Sequence, residues 1–252
     1  MIVYEQNNQW VMITQHDHAA VSGQVAKVWR KDVFEGMHVR DDVLYAIAQH
    51  DRGWIGLDQT PFWNDGEKKP YSFQDFPAVP KLAFYRKGVD EVEAHSPYAG
   101  LLCSLHYVSF FPHPDSPDVM AYLADEKARQ NRIKGELEFN QRELVFHFDL
   151  LQFCDNLSLY MCMQEPGVTK EKEITWFRNG FPQQFRFTQG KKVMARWVDN
   201  EHVSLHPFPL QAETCVSVPA RAVSMEAAHR AGIAAAYHDA PRDHIRVTFV
   251  QG

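Results

Sequence analysis

No uninterrupted apolar stretch in the 252-residue chain approaches the roughly 18 residues that suggest a membrane span. The opening segment MIVYEQNNQW likewise lacks a basic region followed by an apolar run, so no secretory signal is expected there and a cytoplasmic location is. Cysteines are few and scattered. Cys103, Cys154, Cys162 and Cys215 contain no CxxC pair, which argues against a zinc ribbon or a disulfide framework and for free thiols. Basic charge is not in excess either: Lys and Arg number 26 against 32 Asp and Glu, a net charge of −6. Without a general cationic field, a nucleic-acid polymer is not an expected partner. Internal repeats and low-complexity segments are also missing. What remains is the composition of a packed protein, 45% apolar and 23% charged, at a length that suits one main domain with an appendage.

Two textures follow one another along the chain. Ile2, Val3 and Tyr4, the Asn7-Asn8 turn, and Trp10, Val11 and Ile13 predict a short hairpin. Thr14 then offers an N-cap, Asp17 adds negative charge to the first turn, and Val21, Val25, Val28 and Trp29 recur at helical spacing. A second helix opens at Asp41 or Asp42, carries Val43 and Ile47, and stops near Asp51 or Arg52 before Gly53. Pro80 and Gly88 bracket a brief helix, and Pro97 opens another with Leu101, Leu102 and Leu105 on its face. Ser116-Pro117 starts a longer one to about Leu137, and Leu144, Phe148, Leu151, Leu159 and Cys162 mark the last before Pro166. Between Trp54 and Pro80 runs an aromatic loop long enough to cover a site.

From Glu173 onward short apolar runs at Ile174–Phe177, Phe185–Thr188, Val193–Val198 and Val216–Val218 alternate with Gly, Pro and Asn turns. A helix around 224–237 and a strand at Ile245–Val250 complete the chain. The expected fold is therefore mainly α: a helical bundle over residues 14–166, with a small β-rich accessory region of residues 1–13 and 167–252. In that region the N-terminal hairpin is placed to pair with the C-terminal strands.

Ionisable side chains on the apolar stripes carry the functional signal, because an unpaired charge there is costly and calls for a partner or a metal. His18 lies three residues before Val21 and seven before Val25, so it extends the first apolar face. Asp51 follows Ile47 by four, with His50 beside it; His106 follows Leu102 by four; Asp155 follows Leu151 by four and precedes Leu159 by four. A single inward histidine is most often a core side chain bonded to a carbonyl, and a single inward aspartate most often pairs with an arginine. Delivered together from separate helices, these residues instead form an N/O donor set for a divalent first-row metal, with manganese, iron, cobalt and zinc all compatible.

In their order along the chain, His18, then the His50-Asp51 doublet, then Asp155, these residues resemble the ligand series of the HD-domain superfamily of metal-dependent phosphohydrolases. The segments TQHDHAAVSGQVAKVW, AIAQHDRGW, LLCSLHY and LLQFCDNLSLY look more particularly like an uncharacterised bacterial family related to it. The resemblance implies an all-helical HD-like domain and a metal held by His18, His50, Asp51 and Asp155. It further implies hydrolysis of a phosphate ester or anhydride in a nucleotide or other small phosphorylated metabolite. The Gly-Tyr-Pro signature and second histidine pair of the cyclic-dinucleotide phosphodiesterase subgroup are missing, so that activity is not expected. His106 stands where some members carry a further histidine, as ligand, proton donor or hydrogen-bond partner of a ligand.

Several further residues are candidates. Glu126 shares a stripe with Leu123, Gln130, Ile133 and Leu137, where it would orient a water as general base or simply belong to a solvated face. Arg52, Lys81, Arg86, Arg129 and Arg132 are candidate phosphate partners, each also an ordinary surface charge. Trp54 and Asp58 continue from the doublet as pocket residues, with Asp58 a candidate acceptor for a ligand imidazole. The expected catalytic set is thus Asp51, His106 and Glu126. Two other readings stand beside the hydrolase: a catalytically silent metal- or ligand-binding sensor or assembly protein, and a redox enzyme holding two irons. The aromatic tail around Trp176, Phe177, Phe181, Phe185, Phe187 and Trp197 is expected to pack on the body or on a second copy in a homodimer.

Overall fold

A computed structural model describes residues 1–114, 116–138 and 140–252. The chain opens with a hairpin, β1 (Ile2–Gln6) and β2 (Gln9–Ile13). Asn7 and Asn8 both take positive φ, 49° and 60°, the left-handed pair that a two-residue hairpin turn requires and asparagine tolerates. Thr14 then caps α1 (Gln15–Lys27) by accepting from the Asp17 N–H. The remaining helices of the first half are α2 (Arg40–Gln49), α3 (Ala78–His95), α4 (Pro97–Val108), α5 (Pro117–Glu136) and α6 (Gln141–Cys162). A small ribbon, β3 (Trp63–Asn64) with β4 (Lys69–Pro70), lies in the loop between α2 and α3.

The second half builds β5 (Met194–Trp197), β6 (His202–His206), β7 (Thr214–Ser224), the helices α7 (Met225–Ala231) and α8 (Ile233–Asp239), and β8 (Arg242–Gln251). With the hairpin these strands form one six-stranded sheet in the order β1-β2-β7-β8-β6-β5. Among the described residues of this sheet the β6–β8 pair is parallel and the other pairs are antiparallel.

This corrects the expectation of a mainly α bundle with a small β-rich accessory region: the protein is an α+β fold. One continuous hydrophobic core joins Val21, Val25, Ile47, Leu102 and Leu151 of the helices to Val216, Val218, Val247 and Phe249 of the sheet. α1 lies between the two layers, packed on α2 and α6 on one side and on β7 on the other. The sheet's extent is hidden in the sequence because β7 contains Pro219 and Arg221, and β8 begins Arg242, Asp243, His244, so only the middle of each reads as apolar.

Other departures are local. The runs Ile174–Phe177 and Phe185–Thr188 form turns, including a 3-10 turn at Arg186–Thr188, and bury Phe177 and Phe185 in the core. Phe185 meets Trp29 with ring centroids 4.9 Å apart, and Phe181 meets Phe153 at 5.1 Å. α3 continues past Gly88 to His95 because this glycine is a contact rather than a stop; an added Cβ would collide with the backbone of Gly53, in the turn that follows the His50-Asp51 doublet. Gly23 acts likewise between α1 and α2, where a Cβ would lie 2.7 Å from that of Ala48. These two close approaches seat the doublet against its neighbours. The helix expected over 224–237 breaks at Gly232, whose φ of 85° favours glycine. Cys103, Cys154 and Cys162 are buried free thiols, and Cys215 is exposed.

Candidate metal centre

Four elements deliver the side chains. The Thr14 cap fixes the phase of α1, so His18 faces inward with Val21, Ser22 and Val25. α2 ends at His50, and the 3-10 turn Arg52–Trp54 that follows turns Asp51 back toward α1. α4 contributes His106 and α6 contributes Asp155. His18 and His50 are wholly buried, His106 and Asp51 nearly so, and Asp155 is 9% exposed. Among the described residues, His18, His50 and Asp51 form one potential metal-binding group and His50, His106 and Asp155 another, the ligand atoms of each within 4.8 Å of one another.

The hydrogen bonds assign much of the proton inventory. His50 Nδ1 lies 2.7 Å from the carbonyl oxygen of Ile47, which can only accept, so this nitrogen carries a proton. Its Nε2 has no hydrogen-bond partner, although Asp155 Oδ1 is 3.4 Å away and Asp51 Oδ2 3.8 Å away. Two carboxylates face one nitrogen, and something positive must stand between them: a proton or a cation. Burial opposes a charged ring, but Asp51 and Asp155 outweigh it and raise the pKa of His50 to about 9. Burial is likewise outweighed at Asp155, where His50, His106 and His18 hold the carboxyl at about 2, and at Asp51, which His50 and His18 hold below the ordinary value.

His18 is fixed by serines. Its Nδ1 is 2.8 Å from Ser158 Oγ, which in turn donates to the Asp155 carbonyl at 2.8 Å and accepts from Ser22 Oγ at 2.9 Å. A carboxylate can only accept, so His18 Nε2 donates to Asp51 Oδ2 at 2.8 Å, and a metal bound there would take the place of that proton. Metal–ligand bonds of about 2.0–2.2 Å would put adjacent ligand atoms about 3 Å apart and opposite ones about 4 Å apart. The observed separations of 2.8, 3.4 and 3.8 Å among these atoms fit that range.

His106 Nε2 stands 3.8 Å from Asp155 Oδ2, and its Nδ1 has no partner. Burial is the largest influence on it and lowers its pKa to about 4, so the ring is neutral at pH 7. Asp51, His106 and Asp155 line a cavity of about 410 Å³, within the size range of small-molecule sites. Trp54 lines it as expected.

Two candidates fall elsewhere. Glu126 is buried on α5 with its carboxylate 3.1 Å from Arg129 Nε, and it does not line the cavity. Its stripe faces α4 and the arginine rather than the cluster, so the expected general base is not brought to the site. Asp58 receives no imidazole; it takes the Met1 ammonium at 2.7 Å and the Gln15 backbone N–H at 2.6 Å. Gln15 then donates through Nε2 to Asp51 Oδ2 at 3.1 Å, which ties Asp58 to the site indirectly.

Sequence reasoning missed Gln15, Ser22 and Ser158. The available signal was a serine on an apolar stripe, four residues after His18 and three after Asp155.

The chain matches the family described as a protein of unknown function, DUF3891, over residues 1–225, and it belongs to that family. No curated protein and no solved structure matches it.

Proposed function

We propose that this protein is a metal-dependent hydrolase of a phosphate ester or anhydride in a small molecule. The observation that carries the reading is the His50 ring, whose Nδ1 is committed to a backbone carbonyl while Nε2 points between two buried carboxylates. Metal-ligating histidines usually have the far nitrogen anchored in this way, because the anchor fixes tautomer and orientation together. The ordered set His18, His50-Asp51, Asp155 and its resemblance to the HD-domain phosphohydrolases supply the reaction class.

The donors suit one ion. Both groups draw on His50, which has a single lone pair left, so a second ion would be confined to His106 and a carboxylate oxygen. This disfavours the two-iron redox reading. A divalent ion held by His18, His50, Asp51 and Asp155 would supply Lewis acidity toward a phosphoryl oxygen and toward water. The chain's own residues do the rest. Ser158 and Ile47 orient the two imidazoles, Gln15 steadies Asp51, and Asp51 and Asp155 balance the charge of the ion. His106, neutral and open to the cavity, hydrogen-bonds the substrate or water. In the overall reaction water adds across the phosphorus–oxygen bond: its oxygen joins phosphorus, the bond to the leaving group breaks, and a proton passes to the leaving oxygen.

The test is phosphate release from a panel of phosphorylated small molecules by the purified protein with manganese, iron, cobalt, zinc or magnesium, beside Asp51→Ala. Release that depends on a metal and disappears in the variant, with helicity retained, is expected. No release with any metal, or unchanged release by Asp51→Ala, would overturn the proposal.

A further inference from the structure

The cavity is graded from its buried end to its mouth. Asp51, His106 and Asp155 are buried, whereas two of its aromatic side chains are half in solvent: Phe110 is 46% and Trp176 53% exposed. They come from distant segments, the turn after α4 and the turns after α6. Phe110 packs edge-on against His106 with centroids 4.7 Å apart, Trp176 meets Phe177 at 6.3 Å, and the two exposed rings do not pair with each other. Phe110 also neighbours Tyr85 and Tyr107, at 6.4 and 6.1 Å, so its inner side is packed while nearly half of its surface stays in solvent. Single exposed apolar residues are ordinary, but two large half-exposed rings at the mouth of one polar-floored cavity offer surface for a ligand ring.

Cations around the site sort themselves by pairing. Arg52 is bound to Glu91, Arg86 to Asp125, Arg129 to Asp90 and Glu93, and Arg132 to Glu93. Lys81 alone of the five candidates lines the cavity, and among the described residues it has no carboxylate at salt-bridge distance. Its Nζ donates to the Phe73 carbonyl at 3.1 Å, which leaves two N–H groups for a ligand. Burial lowers its pKa, and Asp75 offsets the fall only in part.

We infer that the outer part of this cavity recognises a monophosphate that carries a planar ring, with Lys81 taking an anionic phosphoryl oxygen and Phe110 and Trp176 stacking on the ring. The phosphoryl assignment rests on the hydrolase reading above; the ring and charge preferences are measurable without it. Charge limits the phosphate count. A divalent ion and Lys81 bring three positive charges, and Asp51 and Asp155 already offset two of them. The remaining single charge faces a phosphomonoester of roughly minus two, and a triphosphate carries about twice that into a chain of net charge −6.

Binding of adenosine 5′-monophosphate, adenosine, ribose 5-phosphate and adenosine 5′-triphosphate to the manganese-loaded protein, followed by stopped-flow Trp fluorescence so that the initial binding phase precedes turnover, tests the inference. The expected order is adenosine 5′-monophosphate at least about ten-fold tighter than ribose 5-phosphate, as base–aromatic stacking supplies, and tighter than the triphosphate. Trp176→Ala weakens the monophosphate and adenosine alike by about ten-fold and reduces the fluorescence change, of which Trp54 in the same cavity keeps a part. Lys81→Gln weakens the monophosphate by about ten-fold and leaves adenosine unchanged, the cost of one charge-assisted hydrogen bond. Both variants lie near the surface, and circular dichroism checks their folding. Equal binding of ribose 5-phosphate and adenosine 5′-monophosphate, tighter binding of the triphosphate, or no effect of Lys81→Gln would overturn the inference. Binding as described without turnover by any metal would defeat the hydrolase reading alone. Equal turnover of ribose 5-phosphate and adenosine 5′-monophosphate would defeat this inference and leave hydrolysis standing.

Discussion

His50 and Asp155 face each other across 3.4 Å, imidazole Nε2 to carboxylate Oδ1, from two helices that are neighbours only in the folded chain. The His50 ring cannot turn away, because Nδ1 is held by the Ile47 carbonyl at its other edge. The pair, with Asp51 and His18 beside it, concentrates two buried carboxylates in a space where only a positive charge makes the arrangement favourable.

An ion in that space stabilises the fold, since it binds the native cluster and not the dispersed side chains of the unfolded chain. At one hundred times its dissociation constant the gain is about 2.7 kcal/mol. Thermal unfolding with manganese or zinc is therefore expected at a higher temperature than in chelator. Equal midpoints across a metal titration would contradict this.

Ser158 holds the Nδ1 edge of His18 at 2.8 Å and keeps Nε2 directed at Asp51. Ser158→Ala is expected to weaken metal affinity about 10–100-fold, the usual effect of removing an outer hydrogen-bond partner of a ligand. Near-wild-type helicity is expected to persist, and competition with a chromophoric chelator measures the loss. Unchanged affinity would show that the serine chain does not set the ring.

Gly23 permits the close approach of α1 and α2 that brings His18 to Asp51. Gly23→Ala gains helix propensity but meets Ala48, and overpacking is expected to win with a net loss of about 1–3 kcal/mol. Denaturant unfolding reads the sign. A stabilised variant would mean that the interface yields easily.

Glu126 provides a contrast. Burial raises its pKa, and Ser104 and Arg129 oppose the rise only in part. A carboxyl with a raised folded-state pKa contributes stability below its unfolded value, near 4.5, and loses it as the pH rises through the folded value. Glu126→Gln removes that pH-linked loss. The variant is expected to be at least as stable as the wild type at pH 7, with metal content unchanged, because Arg129 keeps Asp90 and Glu93. Loss of metal or of metal-dependent turnover in this variant would return Glu126 to the site.

The site was more legible in the sequence than the fold. His18, Asp51 and Asp155 stood out because each is an ionisable side chain at helical spacing within an apolar stripe, a local pattern with a physical cost. Glu126 shared that pattern and misled, since periodicity gives the face of a helix but not which neighbour covers it. The serines were unreadable for the same reason: Ser158 matters only through the position of His18, 140 residues away. The sheet was underestimated because β8 alternates exposed charge with buried Val247 and Phe249, and its pairing with β7 is a long-range contact that neither strand announces. Trp176 gave no local sign that it would share a cavity mouth with Phe110.

Anomalous diffraction from crystals of the protein grown with manganese tests the central claim most directly. The expected result is one anomalous peak per chain, about 2.0–2.2 Å from Nε2 of His18 and of His50 and from carboxylate oxygens of Asp51 and Asp155. No peak among these four side chains, or two peaks of comparable height, would contradict it.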